Sequence, residues 1–169
     1  MKRFRTLSRR TQVILMSIAL PVALAAAAFA YWTLSPLLYD VRVSEALPGG
    51  EADAAPMAIA EGEFADADRV HRASGTARLV ETADGERLIR FDEDFQVING
   101  PDLFVWLTED PQGDPDAGYL DLGRLKGNLG SQNYAIPDDV DLSLYEGVIV
   151  WCKAFGVPFG RATLQSTDS

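Results

Sequence analysis

Two side chains, each the only one of its type in 169 residues, bring reactive chemistry to this sequence: Cys152 in V-I-V-W-C-K and His71 in H-R-A-S-G. A thiol serves as redox group, nucleophile or metal ligand, and its reactivity follows the thiolate form and its exposure. An imidazole carries protons near neutral pH or ligates a metal or haem iron. If Cys152 lies on a strand, it shares a face with Val148 and Val150, while Trp151 and Lys153 point the other way. Lys153 is then not placed to acidify the thiol. A single cysteine cannot close an intramolecular disulfide, which leaves a buried inert thiol, an intermolecular disulfide or a reactive site. For His71 the alternatives are a hydrogen-bonded surface residue, a proton partner to Cys152, or a haem ligand. No C-x-x-C-H occurs, so a haem would have to be held non-covalently, with Cys152 and His71 as its candidate ligands.

Other chemistries find little support. One His and one Cys do not complete a zinc or blue-copper ligand set, and no metal site is expected. Asp110, Asp114 and Asp116 could gather calcium, but Pro115 stands where an EF-hand loop needs glycine. A solvated acidic loop accounts for them better. The run from Gly123 to Gly130 lacks the G-K-[ST] ending of a phosphate-binding loop. Its glycines read instead as positive-φ turn positions, with Asn128 and Asn133 satisfying nearby backbone groups. There is no G-x-S-x-G and no serine evidently paired with the single histidine, so hydrolase chemistry is not indicated.

The elements that must position Cys152 and His71 begin after a charge boundary. Five of the 15 basic residues (Lys2, Arg3, Arg5, Arg9, Arg10) precede Thr11, and the first acidic residue is Asp40. From Asp40 onward ten basic residues face 25 acidic ones, a formal charge of −15. That surface repels a phosphate backbone, so no nucleic-acid partner is expected. Between Arg10 and Asp40 there is no charge at all, and Val13 to Trp32 is apolar. At ~1.5 Å per residue such a run spans ~30 Å, the hydrocarbon thickness of a bilayer. The basic head suits the cytoplasmic side, and Tyr31 and Trp32 suit the far interface. The alternative is a secretory signal cleaved after Ala28-Phe29-Ala30. The length of the run and its continuation through Leu37-Leu38-Tyr39 favour a retained anchor. Residues 1–11 thus read as a basic cytoplasmic head, 12–38 as a transmembrane helix, 39–60 as an acidic Pro/Gly/Ala tether, and 61–165 as one extracytoplasmic domain.

Within that domain the pattern is of short β-segments. Thr76–Val80 and Arg87–Phe91 flank Asp84-Gly85, a hairpin turn signal. Phe95–Ile98 and Leu103–Thr108 follow, the latter apolar without alternation, as expected of a strand buried on both faces. Tyr119–Leu122, Gln132–Ile136, Gly147–Lys153 and Val157–Leu164 complete about eight strands, the spacing of an antiparallel sandwich.

The stretches N-G-P-D-L-F-V-W-L, Y-L-D-L-G-R-L-K-G-N-L-G-S-Q-N-Y-A-I-P and V-I-V-W-C-K-A-F-G-V-P-F-G, with Gly62-x-Phe64, His71 and Ser74-Gly75, closely resemble the DM13 domain. The resemblance covers roughly residues 60 to 165. It implies a mainly β, DM13/DOMON-like antiparallel sandwich outside the cytoplasm, and an electron-transfer role centred on the signature cysteine, here Cys152, with His71 as its partner. An unidentified redox or envelope protein would then be the partner molecule. The alternative is a non-catalytic binding module of the cell envelope with a structural cysteine. With no companion catalytic domain in the chain, an electron carrier or binding module is expected before an autonomous enzyme.

Overall fold

The computed structural model describes residues 8–35, 39–48 and 56–167. Lys2, Arg3 and Arg5 of the basic head, the 36–38 end of the expected membrane segment and the 49–55 part of the expected tether lie outside the described residues. The chain divides into two compact units, 1–38 and 39–169.

The first unit is helix α1, Arg9–Leu34. Its stretch Gln12–Tyr31 has a mean hydropathy of 2.4 and is long and apolar enough to cross a membrane. The helix is apolar on all sides, unlike a surface helix with one polar face. Pro21 lies inside it and removes one backbone donor from the ladder. One turn earlier the Ser17 hydroxyl donates back to the Ile14 carbonyl at 2.9 Å, which satisfies that hydroxyl within the helix itself.

The second unit is a β-sandwich. Its strands are β1 (Arg42–Ser44), β2 (Met57–Asp66), β3 (Ala73–Ser74), β4 (Thr76–Glu81), β5 (Arg87–Phe91), β6 (Gln96–Val97), β7 (Leu103–Thr108), β8 (Tyr119–Arg124), β9 (Leu129–Ile136), β10 (Gly147–Cys152), β11 (Val157–Thr163) and β12 (Gln165–Ser166). The hydrogen-bonded order is β3-β6-β9-β5-β4-β2-β11-β10-β7-β8, with β1 beside β9 and β12 beside β2. Every pairing is antiparallel except that of β1 with β9. The path does not close on itself, so the fold is not a barrel. Strand β2 passes between the two layers: Met57–Glu63 pairs with β4, and Phe64–Asp66 pairs with β11.

The expected hairpin is present, with β4 and β5 in register from Ala77↔Phe91 to Glu81↔Arg87 and Gly85 at φ 79° in the turn. Strand β7 is apolar on both faces, as its sequence requires. Leu103, Val105 and Leu107 enter the main core, whereas Trp106 joins Ile149 and Trp151 in a second cluster on the reverse face, with Phe104 packed against it.

Phe91 is the hub of the main core. It has no solvent exposure, and its ring meets Phe64 edge-on at 5.0 Å, Phe95 at 4.4 Å and Tyr134 at 5.3 Å between centroids. Gln132 is equally buried and fully satisfied. Its Nε2 donates to the carbonyls of Gly127 (2.7 Å) and Gly130 (3.3 Å). Its Oε1 accepts from Gly127 N–H (3.1 Å) and the Tyr134 hydroxyl (2.7 Å). Burial pushes the Tyr134 phenol well above its ordinary value. This network shapes the glycine-containing loop, where Gly123 and Gly130 take positive φ as anticipated.

Two stretches assigned in sequence to the tether carry strand pairing. Met57–Ala60 is the start of β2, and residues 42–44 form β1. The Asp40 carboxylate accepts from Asn99 (3.1 Å) and Asn128 (2.8 Å), while Asn128 Oδ1 accepts from Val41 N–H at 2.6 Å. Glu45 then receives Lys126 Nζ at 2.8 Å and Asn133 N–H at 2.8 Å. Burial pushes the Glu45 carboxyl up, but Lys126, the Asn133 amide and the Arg90 charge outweigh it and hold the group below its ordinary value. These contacts come from residues far along the chain, in the loops holding Asn99, Lys126 and Asn128 and on β9 at Asn133, which is why a Pro/Gly/Ala composition did not reveal them.

Candidate functional site

Strand β10 reads G-V-I-V-W-C and is buried at every position. Alternation sends Val148, Val150 and Cys152 into the main core and Ile149 and Trp151 to the reverse face. Cys152 is the last residue of the strand, opposite Leu103 of β7 and Val157 of β11. Its carbonyl accepts from Gly156 N–H at 2.8 Å, closing the exposed turn at 153–156. The thiol is free and has no solvent exposure. Lys153 leaves on the opposite face, as alternation predicts. Its ammonium lies 3.5 Å from the centroid of the Phe104 ring and 2.5 Å from Asp121 Oδ2. Behind Cys152, the Trp106 ring stacks between Tyr119 (3.9 Å) and Trp151 (4.7 Å), so that the reverse face of this strand is also sealed.

His71 occupies the turn between β2 and β3. The Asp68 carboxylate organises this turn, accepting from the Val70 and His71 amides (2.7 Å each) and from His71 Nδ1 (2.7 Å). With Nδ1 committed to Asp68, Nε2 is the nitrogen left for any other partner. The imidazole packs on Phe159 of β11, 4.4 Å between centroids, and its side chain is 21% exposed. The same three hydrogen bonds, led by the His71 amide, hold the Asp68 carboxyl down at about 2 from an ordinary 3.8. A lowered carboxyl contributes its clasp in full above the ordinary value and loses it as pH falls through about 2. Protection of the Val70 and His71 amides, taken relative to the intrinsic exchange rate at each pH, should therefore persist from neutrality past pH 3.8 and fall only near 2. A transition centred at 3.8 would show that the clasp does not form in solution.

The fold brings His71 and Cys152 to strands and turns of the same layer, since Phe159 is two residues beyond the cross-strand neighbour of Cys152. Among the described residues no hydrogen bond joins the imidazole to the thiol. A haem ligated by Cys152 would need the space that Leu103, Val105, Val150 and Phe159 fill in the closed core. The residues present do not fit a haem held through that sulfur.

The acidic loop behaves as a self-capped turn. Asp110 accepts from the Gln112 and Asp114 amides at 3.0 Å each, and Asp114 accepts from Asp116 N–H at 2.9 Å. Those amides hold the Asp110 carboxyl below its ordinary value. Among the described residues no three His, Cys, Asp or Glu side chains gather as a metal site. Asp68 escaped the sequence reading, although D-x-x-H was an available signal; Phe159 is the core aromatic its sequence suggests, but its contact with His71 depended on tertiary pairing.

The family model described as electron transfer DM13 matches residues 63–164, a span that holds both His71 and Cys152. Neither the curated proteins nor the solved structures returned a match.

Proposed function

The chain belongs to the DM13 family, and on that premise we propose that it is a membrane-tethered, extracytoplasmic electron-transfer domain whose redox group is Cys152, with His71 as its partner. The observation carrying this reading is the place of the sole cysteine: it closes β10 within the family span, fully buried but directly beside an exposed hairpin turn. In an oxidising compartment such burial shields a lone thiol from adventitious pairing. Opening the 153–156 turn is the shortest route by which a redox partner would reach it, and hairpin turns belong to the low-stability end of a fold. In this reading the apolar α1 is the tether, and the cations before Thr11 favour a cytoplasmic N-terminus through the positive-inside bias.

The complete burial of Cys152 also favours a second reading, an envelope binding module in which the thiol is core packing. One experiment separates the two. Full-length protein in detergent is treated with a thiol reagent across a series of sub-denaturing urea concentrations, and its recovery from mild oxidation by a low-molecular-weight disulfide is followed. The electron-transfer reading expects labelling through local opening, with a weak dependence on urea, and reversible oxidation that Cys152→Ala abolishes. Labelling that tracks global unfolding alone, without reversible oxidation, leaves the binding module.

A further inference from the structure

The two ends of the sandwich differ in chemistry. At one end lie the connections 81–87, 108–118 and 137–146. They are joined by Arg87, which donates to the carbonyls of Pro137, Asp138 and Val140, and by Glu146 N–H donating to Thr108 O. These segments carry eleven carboxylates against the single cation Arg87, and Arg161 of β11 reaches their 108–118 loop from the sheet, donating to Gln112 Oε1 as well as to Ala67 O. At the other end lie 39–41, 67–72, 98–102, 124–128 and 153–156. They are joined by Asp40 with Asn99, Arg124 with Asp102, Lys153 N–H with Asp102 O, Ile98 N–H with Arg72 O, and His71 with Phe159. These carry five cations and three carboxylates. The nearby 92–94 turn adds three carboxylates, of which Asp92 pairs with Arg78 and Arg90.

This second end also exposes large apolar side chains where strands turn: Val70 (69%) and Phe155 (65%) at two turn tips, with Tyr39 (57%) and Val41 (52%) beside them. Arg69 and Arg72 flank Val70, are exposed, and have no ion-pair partner among the described residues. Met57, Tyr119 and Leu144 are exposed as well, but they sit at the acidic end, which anionic lipid repels. Apolar tips beside free arginines match the headgroup boundary of a bilayer, where rings and aliphatic groups enter and guanidinium groups stay with phosphate. The sequence feeding this end is the apolar run that continues through Leu37-Leu38-Tyr39.

We propose that the turns at 67–72 and 153–156 form a lipid-contacting surface that seats this domain on the bilayer, with the acidic end facing away. The proposal rests on the membrane-tethered reading above. It also places the turn that guards Cys152 at the headgroup layer, so that access to the thiol depends on whether the domain is seated.

The test uses the full-length chain in a Cys152→Ala background, reconstituted into phosphatidylcholine vesicles containing phosphatidylglycerol. Spin labels are attached at Val70→Cys or Phe155→Cys, and at Asp84→Cys or Asp116→Cys as distal controls. The expected result is an oxygen-to-nickel-chelate accessibility ratio several-fold higher at 70 and 155 than at 84 and 116. Equal nickel access at all four sites, in protein that floats with the vesicles, overturns the seating and leaves the anchor standing. Protein that does not float overturns both.

Discussion

Phe91→Ala is expected to destabilise the domain by about 3–5 kcal/mol, the cost of truncating a large aromatic in a core that cannot fully collapse. Phe91 is completely buried and stands between Phe64, Phe95 and Tyr134, which themselves come from three separate segments of the chain. Its removal forfeits the transfer free energy of the ring together with the aromatic contacts, and no neighbouring side chain is flexible enough to refill the space. Against a typical domain stability of ~5–15 kcal/mol this is a large fraction. Urea unfolding should show a lower midpoint with an unchanged slope. A loss below about 2 kcal/mol would mean that the site repacks, and that Phe91 is not the hub its contacts describe.

Cys152→Ser should cost more than Cys152→Ala, although serine is nearer in size. The position has no solvent exposure, and its strand sends that side chain among Val150, Leu103 and Phe159. A thiol is content there as a small apolar group, whereas a hydroxyl buried without a partner costs ~1–3 kcal/mol. Alanine leaves a void of about one atom, for which roughly 1 kcal/mol is the usual loss. Thermal melts of the two variants check the order. Should serine prove the milder change, the site must offer a hydrogen-bond acceptor and be more polar than its neighbours indicate. The comparison bears directly on function, because loss of a redox response in Cys152→Ser alone would confound chemistry with folding. Cys152→Ala is the cleaner test of the thiol.

The strand at 103–108 was legible because five consecutive apolar residues demand two buried faces, and both faces are filled. The hairpin at 76–91 was legible because Asp-Gly between two β-branched and aliphatic runs is a local instruction. By contrast β2 was read in part as tether. Met57–Ala60 holds one β-branched residue, Ile59, between two alanines, too little to mark a strand, and its strand character comes from β4 on one side and β12 beyond. Further along β2 the alternation of Glu61 and Glu63 outward with Gly62 and Phe64 inward was present in the sequence, but too short to extend backwards. Gln132 and Asp68 show the same limit. Each is an ordinary polar residue whose importance lies in what reaches it from elsewhere.

Composition and motif therefore determined the apolar helix, the acidic domain, the antiparallel β architecture and the family. They also determined that Cys152 and Lys153 leave their strand on opposite faces, since a period of two is a property of the chain itself. Only the tertiary structure decided that the Cys152 face is turned into the main core, that His71 is tied to Asp68 and laid on Phe159, and that the 153–156 turn with Phe155 shares an end of the sandwich with Val70. Burial and apposition arise from pairings between residues far apart in sequence, here β10 with β7 and β11 with β2, and no local pattern of side chains encodes which distant strand will cover it.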